Sequence, residues 1–188
     1  MKITKTLHAR SRSQWRAWLR KHHQSQDEIW LIYYKKHSGK KRIPYNDAVE
    51  EALCFGWIDG IVKGIDASKY AQRFTPRRRG SFWSAANKER VRRLIRKRVM
   101  TGAGLAAFQG RRPESAKPHS RWTVPSDIRS ALQKNKAAWR TFRKLPASYK
   151  RVRIGWIDAS RRRPDVFLQR LRYFIHMTAQ GKRFGMVR

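Results

Sequence analysis

The sequence predicts an α+β fold, with a small antiparallel sheet packed with helices in the N-terminal half and a helical C-terminal half. Three observations lead there. Short aromatic and β-branched runs cluster at 28–36, 57–66 and 69–78. From Ser84 onward the apolar residues instead recur at helical spacing. The length, 188 residues, suits one cooperative core and is cramped for two. The expected organisation is a single domain over 1–188, made of an α+β part (1–109), a linker (110–124) and a helical part (125–182).

In chain order, "SRSQWRAWLRKHH" places Trp15, Trp18, Leu19 and His22 on one helical face, with Ser11 or Ser13 as cap. "EIWLIYYKK" reads as a strand buried on both faces, and "HSGKKRIP" as the loop after it. In "YNDAVEEALCFG", Asn46 is positioned to cap a helix over about 47–55. Asp47, Glu50 and Glu51 suit that helix's positive end, and Gly56 suits a left-handed exit. "WIDGIVKGID" and "KYAQRFTPRR" read as an antiparallel pair joined by "GIDAS". "SAANKERVRRLIRKRV" is a serine-capped helix with Val91, Leu94, Ile95 and Arg98 in period, "GLAAFQ" a short helix, and "GRRPESAKPHS" the core of the linker. One helix or two follow in "PSDIRSALQKNKAAWRTFRKLP" and another in "SYKRVRIGWIDAS". The last helix, in "PDVFLQRLRYFIHMTAQGKR", is opened by Pro164 and closed by Gly181.

Forty-six Lys and Arg against 12 Asp and Glu give a formal charge of +34. Self-repulsion on that scale calls for an external counter-charge: nucleic acid, an anionic membrane surface or an acidic protein. The alternative is an Arg-rich surface that reflects lineage composition. Cys54, the one cysteine, excludes an internal disulfide and any zinc site built on cysteines, and it reads as a small buried hydrophobe. His22 and His23 project about 100° apart on a helix and do not share a metal. No metal and no cofactor is expected. "TGAGLAAF" lacks the third glycine of a dinucleotide loop, and "SGKKR" lacks the upstream glycine of a P-loop. No apolar run suits a secretory signal or a membrane span, so a cytoplasmic location is expected.

The series "WRAWL", "WLIYYKK", "PYNDAVEEALCFGWIDG", "KYAQRFTPRR", "SFWS", "GLAAF" and "RRRPDVFLQRL" resembles the YdeI or OmpD-associated family, labelled bacteriocin-protection proteins. The resemblance implies a protective role and association with an outer-membrane porin, and it carries over no catalytic residue. By position, Trp57, Asp59, Gly60, Arg73, Pro76, Arg77, Trp83 and Ser84 match the family's central motifs. The chain departs from the family in its nearly acid-free helical half, and in Val166 and Phe167 where many relatives carry Thr-Arg.

Between residues 47 and 66 five acids face one base, an acidic island in a cationic chain. Asp59 alone has no helix end to explain it. In a strand it shares a face with Trp57 and Ile61, where an unpaired carboxylate is costly, so Arg73 or Arg77 is the expected partner. Gly60 reads as a place of close backbone approach. Trp57, Asp59, Gly60, Arg73, Arg77, Trp83 and Ser84 thus form either a structural ion-pair cluster or a small-ligand or enzymatic pocket.

The strongest sign of a partner is the basic helices. Lys88, Arg92, Arg93, Arg96, Lys97, Lys150, Arg151, Arg161, Arg162, Arg163 and Arg170 exceed the nearby acids and suit a polyanion, nucleic acid above all. No sequence-reading module is present. The expected function is non-enzymatic, non-specific polyanion binding, with the pocket, or envelope protection against cationic peptides, as alternatives.

Overall fold

The computed structural model describes residues 2–110 and 122–185, so most of the expected linker lies outside the described residues. The chain divides into two compact units, Met1–Phe82 with Val91–Arg112, and Trp83–Arg90 with Pro113–Arg188.

The first unit holds strands β1 (Thr6–Leu7), β2 (Ile29–Tyr34), β3 (Trp57–Gly64) and β4 (Lys69–Pro76) in the order β1-β2-β4-β3, with helices α1 (Arg12–His22) and α2 (Tyr45–Cys54). The β2–β4 and β3–β4 pairs are antiparallel as expected, but β1 runs parallel to β2, so the sheet is mixed. A two-residue strand has no alternation to read.

Register decides which side chains meet. Asp59 lies opposite Phe74, Leu31 opposite Gln72 and Tyr33 opposite Tyr70, which puts these residues on one face of the sheet. Helices cover that face: Trp15 of α1 packs edge-on against Phe74 at 5.4 Å and donates from Nε1 to the Ala48 carbonyl at 3.0 Å. The β3–β4 register slips between Asp59 and Val62, a bulge at Gly60 and Ile61. Beyond it Ile61 and Val62 are 51% and 58% exposed, so the buried face expected to include Ile61 ends at Asp59.

α2 begins one residue before Asn46, after the extended backbone of Pro44, which leaves Asn46 inside the helix rather than capping it. Ser11 caps α1 by accepting from the Gln14 N–H, and Gly56 makes the left-handed exit at φ +76°. Helix α3 (Ala85–Arg96) begins in the second unit, where Ser84 Oγ accepts from the Asn87 N–H at 3.3 Å. Helix α4 (Gly102–Gln109) docks on the end of α2: both the N–H and Oγ1 of Thr101 donate to the Cys54 carbonyl, at 3.0 and 2.6 Å. A side chain at Gly104 would collide with that carbonyl, so this Gly-x-Gly serves backbone packing.

The second unit contains α5 (Ser126–Gln133), α6 (Lys136–Lys144), α7 (Ala147–Asp158) and α8 (Pro164–Ala179). Its core includes Ile128, Leu132, Phe142, Ile157, Leu171 and Phe174. Asn135 accepts from the Ala138 N–H at 2.9 Å and so starts a new helix, which divides the 126–144 run in two.

Candidate functional site

Asp59 is held by Tyr45, whose hydroxyl donates to Oδ2 at 2.5 Å. The expected Arg73 partnership does not form. Asp59 faces Phe74, and Arg73, one residue away, projects to the opposite side of the sheet. There its Nη2 and Nε reach Glu28 Oε2 at 2.5 and 2.6 Å. The Glu28 carboxyl lies below its ordinary pKa, through the Thr4 hydroxyl first and then Arg73 and Trp30, against the opposing effect of burial.

Arg77 retains an electrostatic link to Asp59. Burial pushes its pKa down to about 10 while Asp59 pulls it up, so the guanidinium stays charged at neutral pH. Its Nη1 donates to the Phe82 carbonyl at 3.2 Å. Trp57 is a core residue, edge-on to Trp18 at 5.8 Å and donating to the His23 carbonyl at 3.1 Å. Gly60 sits at the bulge, where its carbonyl accepts from Gln72 Nε2 at 2.9 Å. Trp83 and Ser84 belong to the second unit, as a buried ring and a helix cap.

The neighbours of Asp59 that the sequence reading missed are tyrosines. Tyr33 and Tyr70 stack at 5.3 Å, and Arg42 lies over the Tyr33 ring at 5.4 Å while donating to the Tyr70 hydroxyl at 3.2 Å. The Tyr33 hydroxyl is buried without a hydrogen-bond partner, and burial raises its pKa well above the ordinary phenol value, with the nearby Tyr70, Tyr45 and Asp59 adding to the rise. Alternation alone marked these rings as strand packing. Their rings stack because the strands pair in this register.

The acidic island is an internal anchor. Arg12 reaches Asp47 at 3.4 Å, Glu50 at 3.1 Å and Glu51, while Arg16 reaches Glu51 at 2.6 Å. Burial alone would lower the Arg12 pKa, but Glu51 and Glu50 outweigh it and raise it. Arg93, expected on the polyanion face, pairs instead with Glu50. Cys54 is buried at the end of the same helix, and burial pushes its thiol up to about 11.

Of the other expected polyanion residues, Arg161 is taken up by Asp127 (3.0 and 3.1 Å) and Asp158 (2.6 Å). Arg170 donates to the Trp156 carbonyl at 2.6 Å and covers that ring, and Lys150 donates to the Arg143 carbonyl at 2.8 Å. Carbonyl contacts satisfy donors without neutralising charge. Lys88 and Arg92 of α3 each have an interaction within the protein. Arg96, Lys97, Arg151, Arg162 and Arg163 are exposed.

The cationic stripe of α6 was missed. Lys136, Arg140, Arg143 and Lys144 are all exposed, and their i, i+4, i+7, i+8 spacing lines them along one helix face. Residues 122–185 carry 16 Lys and Arg but only three acids. Two of those three acids are spent on Arg161.

Among the described residues no three His, Cys, Asp or Glu are grouped to hold a metal, and no helix is long and apolar enough to cross a membrane. Residues 7–107 match the family model described as Domain of unknown function (DUF8412). The chain belongs to this family. The DUF8412 match contains "EEALCFGWIDG" and "RFTPRR", both read from sequence as features of the YdeI or OmpD-associated group. The model for that group, Bacteriocin-protection, YdeI or OmpD-Associated, matches residues 122–181 and supports the resemblance there. No curated protein and no solved structure matches this DUF8412 member.

Proposed function

We propose that the protein binds polyanions, nucleic acid above all, through the Arg- and Lys-rich helices of residues 122–185, without catalysis and without reading sequence. The observation that carries this reading is the residual charge of those residues: 16 cations, three acids, two of the acids committed to one arginine. The α6 stripe supplies a contiguous contact line for a phosphate backbone. Neutralised phosphates release condensed counterions, so affinity depends steeply on salt.

A duplex of about 30 base pairs, titrated by fluorescence anisotropy, tests the reading. With six or more phosphates engaged, affinity falls on the order of a thousandfold between roughly 50 and 200 mM salt. The variant K136Q/R140Q/R143Q/K144Q flattens that dependence and weakens binding. Salt-independent affinity, or unchanged binding by the variant, removes the proposal.

A second reading, a small-ligand site at Asp59, is favoured by one observation, the buried Tyr33 hydroxyl beside the Tyr45–Asp59 hydrogen bond. A compound that raises the melting temperature of the wild type but neither of Asp59→Asn nor of Tyr33→Phe would establish it.

A further inference from the structure

The loop after β2, "KKHSGKKR" (35–42), holds five Lys and Arg and no acid, and it is not a P-loop. Its shape is built. A 3₁₀ turn (Lys36–Ser38) and Gly39 at φ +66° reverse the chain, and Ser38 Oγ donates to the Lys35 carbonyl at 2.8 Å. The returning segment is fastened to residues 8 and 9: the Ile43 N–H donates to the Ala9 carbonyl, and His8 Nε2 meets the Lys41 carbonyl, both at 3.0 Å. A carbonyl only accepts, so Nε2 carries a proton and Nδ1 faces away from that bond.

The result is a cleft of 330 Å³ lined by His8, Arg10, Tyr34, Lys40 and Lys41. Small-ligand sites begin at about 300 Å³. None of the described lining residues is a carboxylate. Tyr34 follows Tyr33 in the strand, so it faces the other side of the sheet from the Asp59 cluster. Its half-buried ring meets His8 edge-on at 4.8 Å and carries the Lys40 ammonium at 4.7 Å. An aromatic plate ringed by three cations suits a ligand with a flat π-system and an anionic oxygen group.

We propose that this cleft binds a nucleoside phosphate, with the base stacked on Tyr34 and the phosphate gripped by Arg10, Lys40 and Lys41. The ligand is a free nucleotide or the phosphorylated end of a single strand. This rests on the reading of the protein as a nucleic-acid binder but uses residues of the first unit, none of them from α6.

Isothermal titration with adenosine 5′-monophosphate, adenosine, inorganic phosphate and a 5′-phosphorylated single-stranded tetramer is the test. The monophosphate should bind one to one, about tenfold or more tighter than phosphate or adenosine. Tyr34→Leu should abolish its advantage over phosphate, Tyr34→Phe should keep it, and K40Q/K41Q should weaken it about tenfold. Tighter binding of the tetramer indicates a strand end, and equal or weaker binding a free nucleotide. Monophosphate binding no tighter than phosphate, or unaffected by K40Q/K41Q, overturns the site. Should Tyr34→Leu not fold, the exposed-loop variant decides alone. The α6 variant must bind the monophosphate like the wild type. A failed cleft with intact, salt-dependent duplex binding leaves the α6 reading standing, and the reverse result isolates the cleft.

Discussion

The two units treat their carboxylates in opposite ways. In the described residues of the first unit, 2–82 and 91–110, 23 Lys and Arg accompany seven acids, and Glu50 and Glu51 of α2 each serve two arginines. Glu51 is 3% exposed and bound by both Arg12 and Arg16. In residues 122–185 the acids lie at the surface, with Asp127 and Asp158 nearly half exposed and shared by one arginine. Equal chemistry therefore has unequal consequences. A buried carboxylate stripped of its cations is destabilising, whereas an exposed pair contributes almost nothing.

The comparison breaks most visibly at Glu51. Replacing Arg12 and Arg16 by Ala leaves its carboxylate buried without them, and urea denaturation should show a loss of about 3 kcal/mol or more. A loss below about 1 kcal/mol would mean that water reaches the carboxylate and that the anchor is no different from a surface pair. The counterpart is Asp127→Asn with Asp158→Asn, expected to change stability by less than about 1 kcal/mol. That double variant frees Arg161, so duplex affinity at low salt should rise slightly.

The acid side of the pH profile sharpens the same contrast. The Glu28 carboxyl has a depressed pKa in the folded protein, so its contribution is fully present above its unfolded value and is lost as pH falls through the folded one. Asp66, held down to about 2 by Ser68, follows the same sign in the same direction. Glu28→Gln should therefore flatten the loss of stability in acid, measured by denaturation at pH 6 and at stepwise lower pH. The smallest effect concerns Cys54. Its raised pKa favours the buried neutral thiol until pH climbs through about 11, so native protein should resist thiol labelling at pH 8 while urea-unfolded protein reacts fully.

Periodicity made most elements legible: the α1 face with Trp15 and Leu19, the β3–β4 pair, the serine cap of α3, and Pro164 opening α8. Pairings across long separations were not. Arg73 with Glu28, 45 residues apart, and Tyr45 with Asp59 depend on register and on which helix covers the sheet, and neither leaves a local pattern. A one-residue offset in register moves a side chain to the other face, so identifying an arginine on the adjacent strand was not enough. The α6 stripe was legible in principle, from its i, i+4, i+7, i+8 spacing. It was overshadowed by the denser Arg runs at 92–98 and 161–163, part of whose charge the fold consumes.

The bulge in β3 has a further consequence for solution behaviour. β3 closes one side of the sheet, and its outer row of backbone amides and carbonyls, beside bare Ile61 and Val62, would template another chain if it ran straight. The kink at Gly60 and the lysine at 63 spoil that template. Deleting Gly60 would iron the strand flat, and the protein should then gather into β-rich, dye-binding aggregates at concentrations where the parent stays dispersed.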